Sequence, residues 1–145
     1  MKNFISKSQK IGKMGEDLAS KFLMKHGFTI LERNYTKKWG EIDIIAKRDN
    51  TIHFIEVKAV RRILNGQNVT KQASSTGTVT HETDEFFRPE ENVHQWKKKR
   101  LARTIETFLI HNRIGNTPWQ FDVLLVYIDL EAKRARVETL ENIIL

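Results

Sequence analysis

The sequence predicts an α/β fold, a mixed central β-sheet flanked by helices, with elements in the order α-β-β-β-α-β-β. Three observations predict it. Two segments repeat apolar residues every three or four positions, the mark of amphipathic helices. Three short runs between them are rich in β-branched and aromatic residues and are separated by turn-forming residues. A later run is apolar at both parities, as suits a strand covered on both faces. At 145 residues, 39% of them apolar, the chain suits one domain spanning 1–145 with enough material for a core.

Ser8 to Gly27 reads as the first helix, with Ile11, Met14, Leu18 and Phe22 at helical spacing and Gly27 as the stop. At about 100° per residue the apolar arc runs from Met14 through Leu18, Ile11 and Phe22 to Ala19 and Leu23. Glu16 falls at the rim of that arc, and Asp17 points away from it. Phe28 to Tyr35, Glu41 to Lys47 and Thr51 to Val60 are the three strands, punctuated by Gly40 and by Asp49-Asn50. Arg61 to Arg88 is polar, with Ser74-Ser75-Thr76-Gly77-Thr78 at its centre, and reads as a long functional or disordered loop with Phe86-Phe87 near its end. Glu90 to Asn112 reads as the second helix, opened by Pro89 and striped by Val93, Leu101, Ile105, Phe108 and Leu109. Trp119 to Leu130 is the strand apolar on both faces. Ala135 to Leu145 ends the chain as a weak strand or a short helix.

Composition narrows the function. Lys plus Arg number 25 against 18 Asp plus Glu, a net charge of +7 that favours a polyanionic partner, although basic soluble proteins are common. The absence of cysteine excludes disulfides, thiolate zinc sites and cysteine nucleophiles. No apolar run approaches the ~18 residues of a membrane span. Met1 to Lys10 is positively charged but lacks the apolar stretch of a secretory signal, so a cytoplasmic protein with no membrane partner is expected. The five histidines lack metal-ligand spacing, and there is no phosphate-binding glycine loop, serine triad or dinucleotide fingerprint.

The chemistry concentrates in the second and third strands. Asp and Asn tolerate positive φ, so Asp49-Asn50 suits a two-residue hairpin loop. Counting back from Arg48 and Thr51 then sets Asp43 opposite Glu56 and Glu41 opposite Lys58, with Lys58 on the same face as Glu56. A four-residue loop keeps this register and a three-residue loop breaks it. Opposed residues have Cβ atoms roughly 4.5–5.5 Å apart. Two facing carboxylates repel unless a positive group lies between them, and a divalent cation with oxygen ligands meets that need. A neighbouring ammonium can orient water or offset transition-state charge. Asp43, Glu56 and Lys58 therefore form a candidate hydrolytic centre for a phosphodiester. The competing reading is a solvated Glu-x-Lys pair, but Ile42, Ile44, Ile55 and Val57 argue that these strands are buried, where unpaired charge is expensive.

Asp43 followed by Glu56-Val57-Lys58, after a helix bearing Glu16, resembles the restriction-endonuclease-like superfamily of PD-(D/E)xK nucleases. Gly15-Glu16-Asp17-Leu18-Ala19, Glu32-Arg33-Asn34-Tyr35, Gly40-Glu41-Ile42-Asp43-Ile44-Ile45-Ala46, Phe54-Ile55-Glu56-Val57-Lys58 and Phe121-Asp122-Val123 resemble, more closely, the YraN family of uncharacterised bacterial proteins. The likeness covers nearly all of the chain except residues 61–88. Archaeal Holliday junction resolvases share the layout. The resemblance implies a restriction-endonuclease-like fold and Asp43 and Glu56 as ligands of Mg²⁺ or Mn²⁺, with the Val57 carbonyl as a third. It further implies Lys58 as the catalytic lysine, Glu16 as the acid completing the site, and a homodimer by analogy to the resolvases. Ile42 stands where the superfamily name has proline, the least chemically demanding position of the motif.

Basic residues supply the expected nucleic-acid contacts. Lys97 and Lys98 lie on the same side of the second helix as Val93, Leu101 and Ile105, where they either extend that face toward phosphates or turn into solvent. Gln95 lies near the same face, and Arg61 and Arg62 follow the third strand and could clamp a strand backbone. Trp39, Trp96 and Trp119 suit core or rim packing better than base stacking, and Asp122 suits a structural hydrogen bond or salt bridge. The expected function is Mg²⁺-dependent hydrolysis of DNA, branched or structured. The alternatives are a nucleic-acid-binding module without hydrolysis and an adaptor whose acids are structural.

Overall fold

The hairpin at Asp49-Asn50 joins β2 (Gly40–Arg48) to β3 (Thr51–Arg61) in the computed structural model, which describes residues 6–64 and 95–145. Both loop residues take positive φ, 48° and 63°, so the turn follows the twist of its strands. Arg48 pairs with Thr51, and the register runs unbroken to Ile44 opposite Ile55, as counted from the sequence. β1 (Thr29–Lys37) lies antiparallel on the far side of β2. β4 (Trp119–Asp129) pairs parallel with β3, and β5 (Arg134–Leu140) closes the sheet antiparallel to β4. The five-stranded sheet is therefore mixed, in the order β1-β2-β3-β4-β5. The last element is a strand, which settles the alternative left open by its sequence.

Parallel neighbours need a crossover, and this one contains α2 (Gln95–His111), which packs on one face of the sheet. Leu101, Ile105 and Phe108 of α2 meet Tyr35, Ile42, Phe54 and Phe121 there. α1 (Lys7–Lys25) covers the opposite face, where Ala19 and Leu23 pack on Ile44, Ile55 and Leu124. Covered on both sides, β4 is buried from Phe121 to Asp129, as its unbroken apolar run requires. The element order α-β-β-β-α-β-β is the one expected. Among the described residues no helix is long and apolar enough to cross a membrane.

Two details differ from the sequence reading. α1 begins earlier, because Ser6 caps it: the Gln9 N–H donates to Ser6 Oγ and the Ser6 N–H to Gln9 Oε1. Its most buried line is Gly15, Ala19, Ser20 and Leu23, whereas Met14 is 39% exposed. Small residues let the helix approach the sheet closely, which rotates the buried stripe away from Met14. The first residue assigned to the long loop, Arg61, is the last of β3. Beyond residue 64 that loop, with Phe86-Phe87, Pro89, Val93 and the expected start of the second helix, lies outside the described residues.

A break in alternation shapes the sheet next to the acids. Residues two apart on a regular strand share a face. Yet Arg33 reaches Asp17 on α1 while Tyr35 stacks edge-on against Phe108 on α2, and Asn34 between them has φ 53°. On β2, Ile44 joins the α1-side core and Ile42 the α2-side core, with Asp43 between them.

Candidate active site

Asp43 stands where β2 and β3 part. The paired register ends at Ile44 and Ile55, and beyond it the Val57 N–H donates to Asp43 Oδ2 at 2.8 Å. Asp43 and Glu56 are thus not a ladder pair. The carboxylate takes the amide that continued β-pairing would have occupied, and both acids line the same cleft. It is the Val57 N–H that touches Asp43, and the carbonyl named in the expectation belongs to the next peptide of the strand.

Glu56 faces α2. Lys58 Nζ and Lys97 Nζ both lie 3.0 Å from Glu56 Oε1, one from its own strand and one from the helix. Neither contact involves Oε2. Burial works to raise the Glu56 pKa, but the charges of Lys58 and Lys97 and their hydrogen bonds outweigh it and hold the carboxyl below its ordinary value. Lys97, read from sequence as a phosphate contact or a solvated lysine, is here a direct partner of an acid.

Glu16 reaches the centre from α1. A Cβ on Gly15 would stand 2.5 Å from the Ala59 Cβ, so only glycine permits the helix to lie this close to β3. Glu16 then forms a hydrogen-bonding contact with Asp43, and burial raises its pKa, partly offset by Arg33. Arg33 lies 3.8 Å from Glu16 and 2.9 Å from Asp17, so Asp17 is the closer partner of that guanidinium and is turned away from the centre. Asp43 is pushed up to about 6, first by burial and then by the charges of Glu16, Glu56 and Glu41, against the pull of the Val57 amide. Carboxyl groups crowded in this way retain a proton or gather a cation.

A cleft of about 460 Å³ opens beside them. Its walls include Asp43, Glu56, Glu41, the β1–β2 connection from Thr36 to Gly40, and Lys97, Arg100 and Leu101 of α2. Gly40 is the contact between the two walls: a Cβ there would stand 2.6 Å from Thr104 Oγ1, and Thr104 is fully buried. The Arg103 guanidinium lies 4.1 Å over the Trp39 ring, and Trp39 Nε1 is buried without a hydrogen-bond partner. Sequence reading missed Glu41 as a neighbour of Asp43, and it missed the connection Lys37-Lys38-Trp39-Gly40. The available signal was a dense basic-aromatic turn ending in glycine just before the acidic strand.

The remaining candidates lie apart. Lys98, Arg61 and Arg62 do not line this cleft, and the Arg62 guanidinium sits 5.1 Å over the Tyr127 ring. Gln95 opens α2, and its side chain lies outside the described residues, as does that of Trp96. Trp119 packs edge-on against Phe54, a rim position as expected. Asp122 has a structural role: its carboxylate is 2.6 Å from His53 Nδ1 and accepts from Gln120 Nε2 and the Asn142 N–H, each at 2.8 Å. Among the described residues no three His, Cys, Asp or Glu side chains are grouped so as to hold a metal by themselves.

The sequence profile of the uncharacterised protein family UPF0102 matches residues 15–126, from Gly15 of α1 into β4. A UPF0102 protein of Caldicellulosiruptor saccharolyticus is 32% identical over 134 residues, covering 92% of this chain and 96% of its own. One from Alkaliphilus oremlandii is 33% identical over 135 residues, covering 93% and 97%. One from Clostridioides difficile is 36% identical over 117 residues, covering 81% and 84%. The matched span carries Glu16, Asp43, Glu56, Lys58 and Lys97 together, and the chain belongs to the UPF0102 family, the YraN family of the sequence resemblance.

Proposed function

We propose that this protein is a Mg²⁺- or Mn²⁺-dependent nuclease that hydrolyses phosphodiester bonds of DNA, with branched or structured DNA as its substrate. The observation that carries the reading is the end of β-pairing at Asp43, which brings its carboxylate into one cleft with Glu56 while Lys58 and Lys97 crowd the glutamate. The donor chemistry suits a divalent ion. Asp43 is under pressure from three neighbouring carboxylates, and Glu56 Oε2 takes part in neither lysine contact. Asp43 and Glu56 would hold the ion, with the Val57 carbonyl and water or phosphate oxygens completing its shell. Bound there, such an ion supplies Lewis acidity toward water and the phosphoryl oxygens.

The chain's own residues do the rest. The Val57 amide fixes the orientation of Asp43. Lys58, anchored on Glu56, presents its ammonium to the attacking water or to a non-bridging phosphate oxygen, where charge develops. Glu16, with its raised pKa and its contact to Asp43, takes up a proton at the edge of the site.

A binding module without hydrolysis is favoured by one observation: two ammonium groups already neutralise Glu56. Labelled junction and fork DNA incubated with the protein separates the readings. The nuclease cleaves with Mg²⁺ or Mn²⁺ and loses cleavage, but not binding in chelator, in Asp43→Ala. Binding in chelator with no cleavage under any divalent ion leaves only the module.

A further inference from the structure

Beyond Lys97, the cleft walls carry charge that the chemistry above does not use. On α2, Lys97, Arg100 and Arg103 are spaced three apart, so each neighbours the next in a row that winds about 120° around the helix. Each meets a different point of the facing structure. Lys97 Nζ is on Glu56, the Arg100 backbone abuts Gly40, and the Arg103 guanidinium lies over Trp39. The row therefore begins at the acidic centre and climbs toward the β1–β2 connection, which contributes Lys37 and Lys38 to the opposite wall. The Gly40 contact with Thr104 fixes the spacing of the two walls. At about 1.5 Å per residue, Lys97 to Arg103 covers about 9 Å, enough to reach from one phosphate of a single strand to the next.

We infer that the Lys37-Lys38 connection and the Arg100–Arg103 side of α2 form a phosphate-binding track. It holds adjacent phosphates of a single strand leading away from the phosphodiester at Asp43 and Glu56. This rests on the reading of the acidic centre as the point where a nucleic-acid strand is held. Phosphates are the partner that the row fits, since repeated single negative charges along a flexible backbone match cations set at intervals, and exposed Arg103 and Lys38 are placed to meet them.

The test measures binding of the full chain to a fluorescein-labelled single-stranded DNA by anisotropy in EDTA, over a range of salt. Lys37→Ala with Lys38→Ala is expected to weaken binding about tenfold and to reduce the salt slope by about 1.4, roughly 0.7 for each charge removed. Arg103→Gln and Lys38→Ala alone each weaken it about threefold. Removing the same charge on α1, with Lys21→Ala and Lys25→Ala, changes affinity less than about twofold. Equal losses from the two double variants overturn the track, as does competition by polyglutamate that matches competition by DNA at equal charge. Because the measurement is made without divalent ions, it does not depend on catalysis. A selective loss in the first double variant, with no Mg²⁺-dependent cleavage by the wild type, upholds the track and removes the nuclease.

Discussion

Gly15 and Ala59 touch without room for one further carbon, and that contact sets the height of Glu16 above Asp43. Gly15→Ala should destabilise the fold by about 1–3 kcal/mol, because the added methyl meets a strand buried in the sheet. It should also separate Glu16 from Asp43 and bring the Asp43 pKa down toward 3.8. Urea denaturation checks the first effect and carboxyl NMR titration the second. An unchanged midpoint would mean that α1 floats on the sheet and that Glu16 is not held by packing.

Asp43 makes the protein less stable as it ionises. Its pKa is raised from 3.8 to about 6, so the native state binds the extra proton between those values. Stability from this group is therefore present at low pH and falls as pH rises from about 4 to about 6, by on the order of 3 kcal/mol at most. Asp43→Asn, which keeps an acceptor for the Val57 amide, should remove that slope, raise stability at pH 7 and abolish cleavage. Thermal melts across pH, with and without Mn²⁺, test it. A wild type that Mn²⁺ stabilises no more than the variant argues against metal at this carboxylate.

Glu56 behaves in the opposite sense. Its pKa is lowered, so its contribution is present above 4.5 and is lost as pH falls through the depressed value. Lys97→Met removes a charged hydrogen bond and should cost about 1.5–3 kcal/mol at pH 7 while moving the Glu56 pKa upward. Lys58, half exposed, should matter less for stability and more for chemistry. Lys58→Met is expected to lower the cleavage rate by roughly 10²–10⁴-fold. Urea melts at pH 3 to 7 and single-turnover cleavage divide the two lysines. A Lys58→Met enzyme of full rate would reassign the catalytic ammonium to Lys97.

Asp122 should act on stability alone. Asp122→Ala leaves His53, Gln120 and the Asn142 amide without their acceptor and should cost about 3 kcal/mol. Cleavage per folded molecule, measured after correction for the unfolded fraction, should stay within about twofold, since the His53–Asp122 pair lines no part of the acidic cleft.

Local rules carried much of this structure in the sequence. Asp49-Asn50 forced a hairpin of fixed register as far as Ile44 and Ile55, and counting on pointed to Asp43 and Glu56 as neighbours although the pairing ends one step before them. The apolar run at Trp119 announced a doubly covered strand. What stayed hidden depends on contacts between distant segments. The break at Asn34 is a single residue at positive φ within a strand, which period-two reasoning does not contain. The burial of Gly15 rather than Met14 follows from how near α1 can come to Ala59, which no helical wheel contains. Lys97 read as a phosphate contact or a solvated side chain, because the acid it meets lies 41 positions earlier in the chain.

The parallel seam between β3 and β4 has a consequence for how the molecule assembles. β1, β2 and β3 follow one another through short turns, whereas β4 can join β3 only after the chain across 62–118 has closed on itself. Local hairpins form in about 1–10 μs, and distant pairings carry the entropy of loop closure and come later. The carboxylates of Asp43 and Glu56 should thus be neighbours in the earliest native-like species, before α2 delivers Lys97. Pulse-labelled hydrogen exchange during refolding would then protect the Ala46 and His53 amides, a hydrogen-bonded pair of the hairpin, ahead of those of β4, and simultaneous protection would instead mark a single concerted collapse.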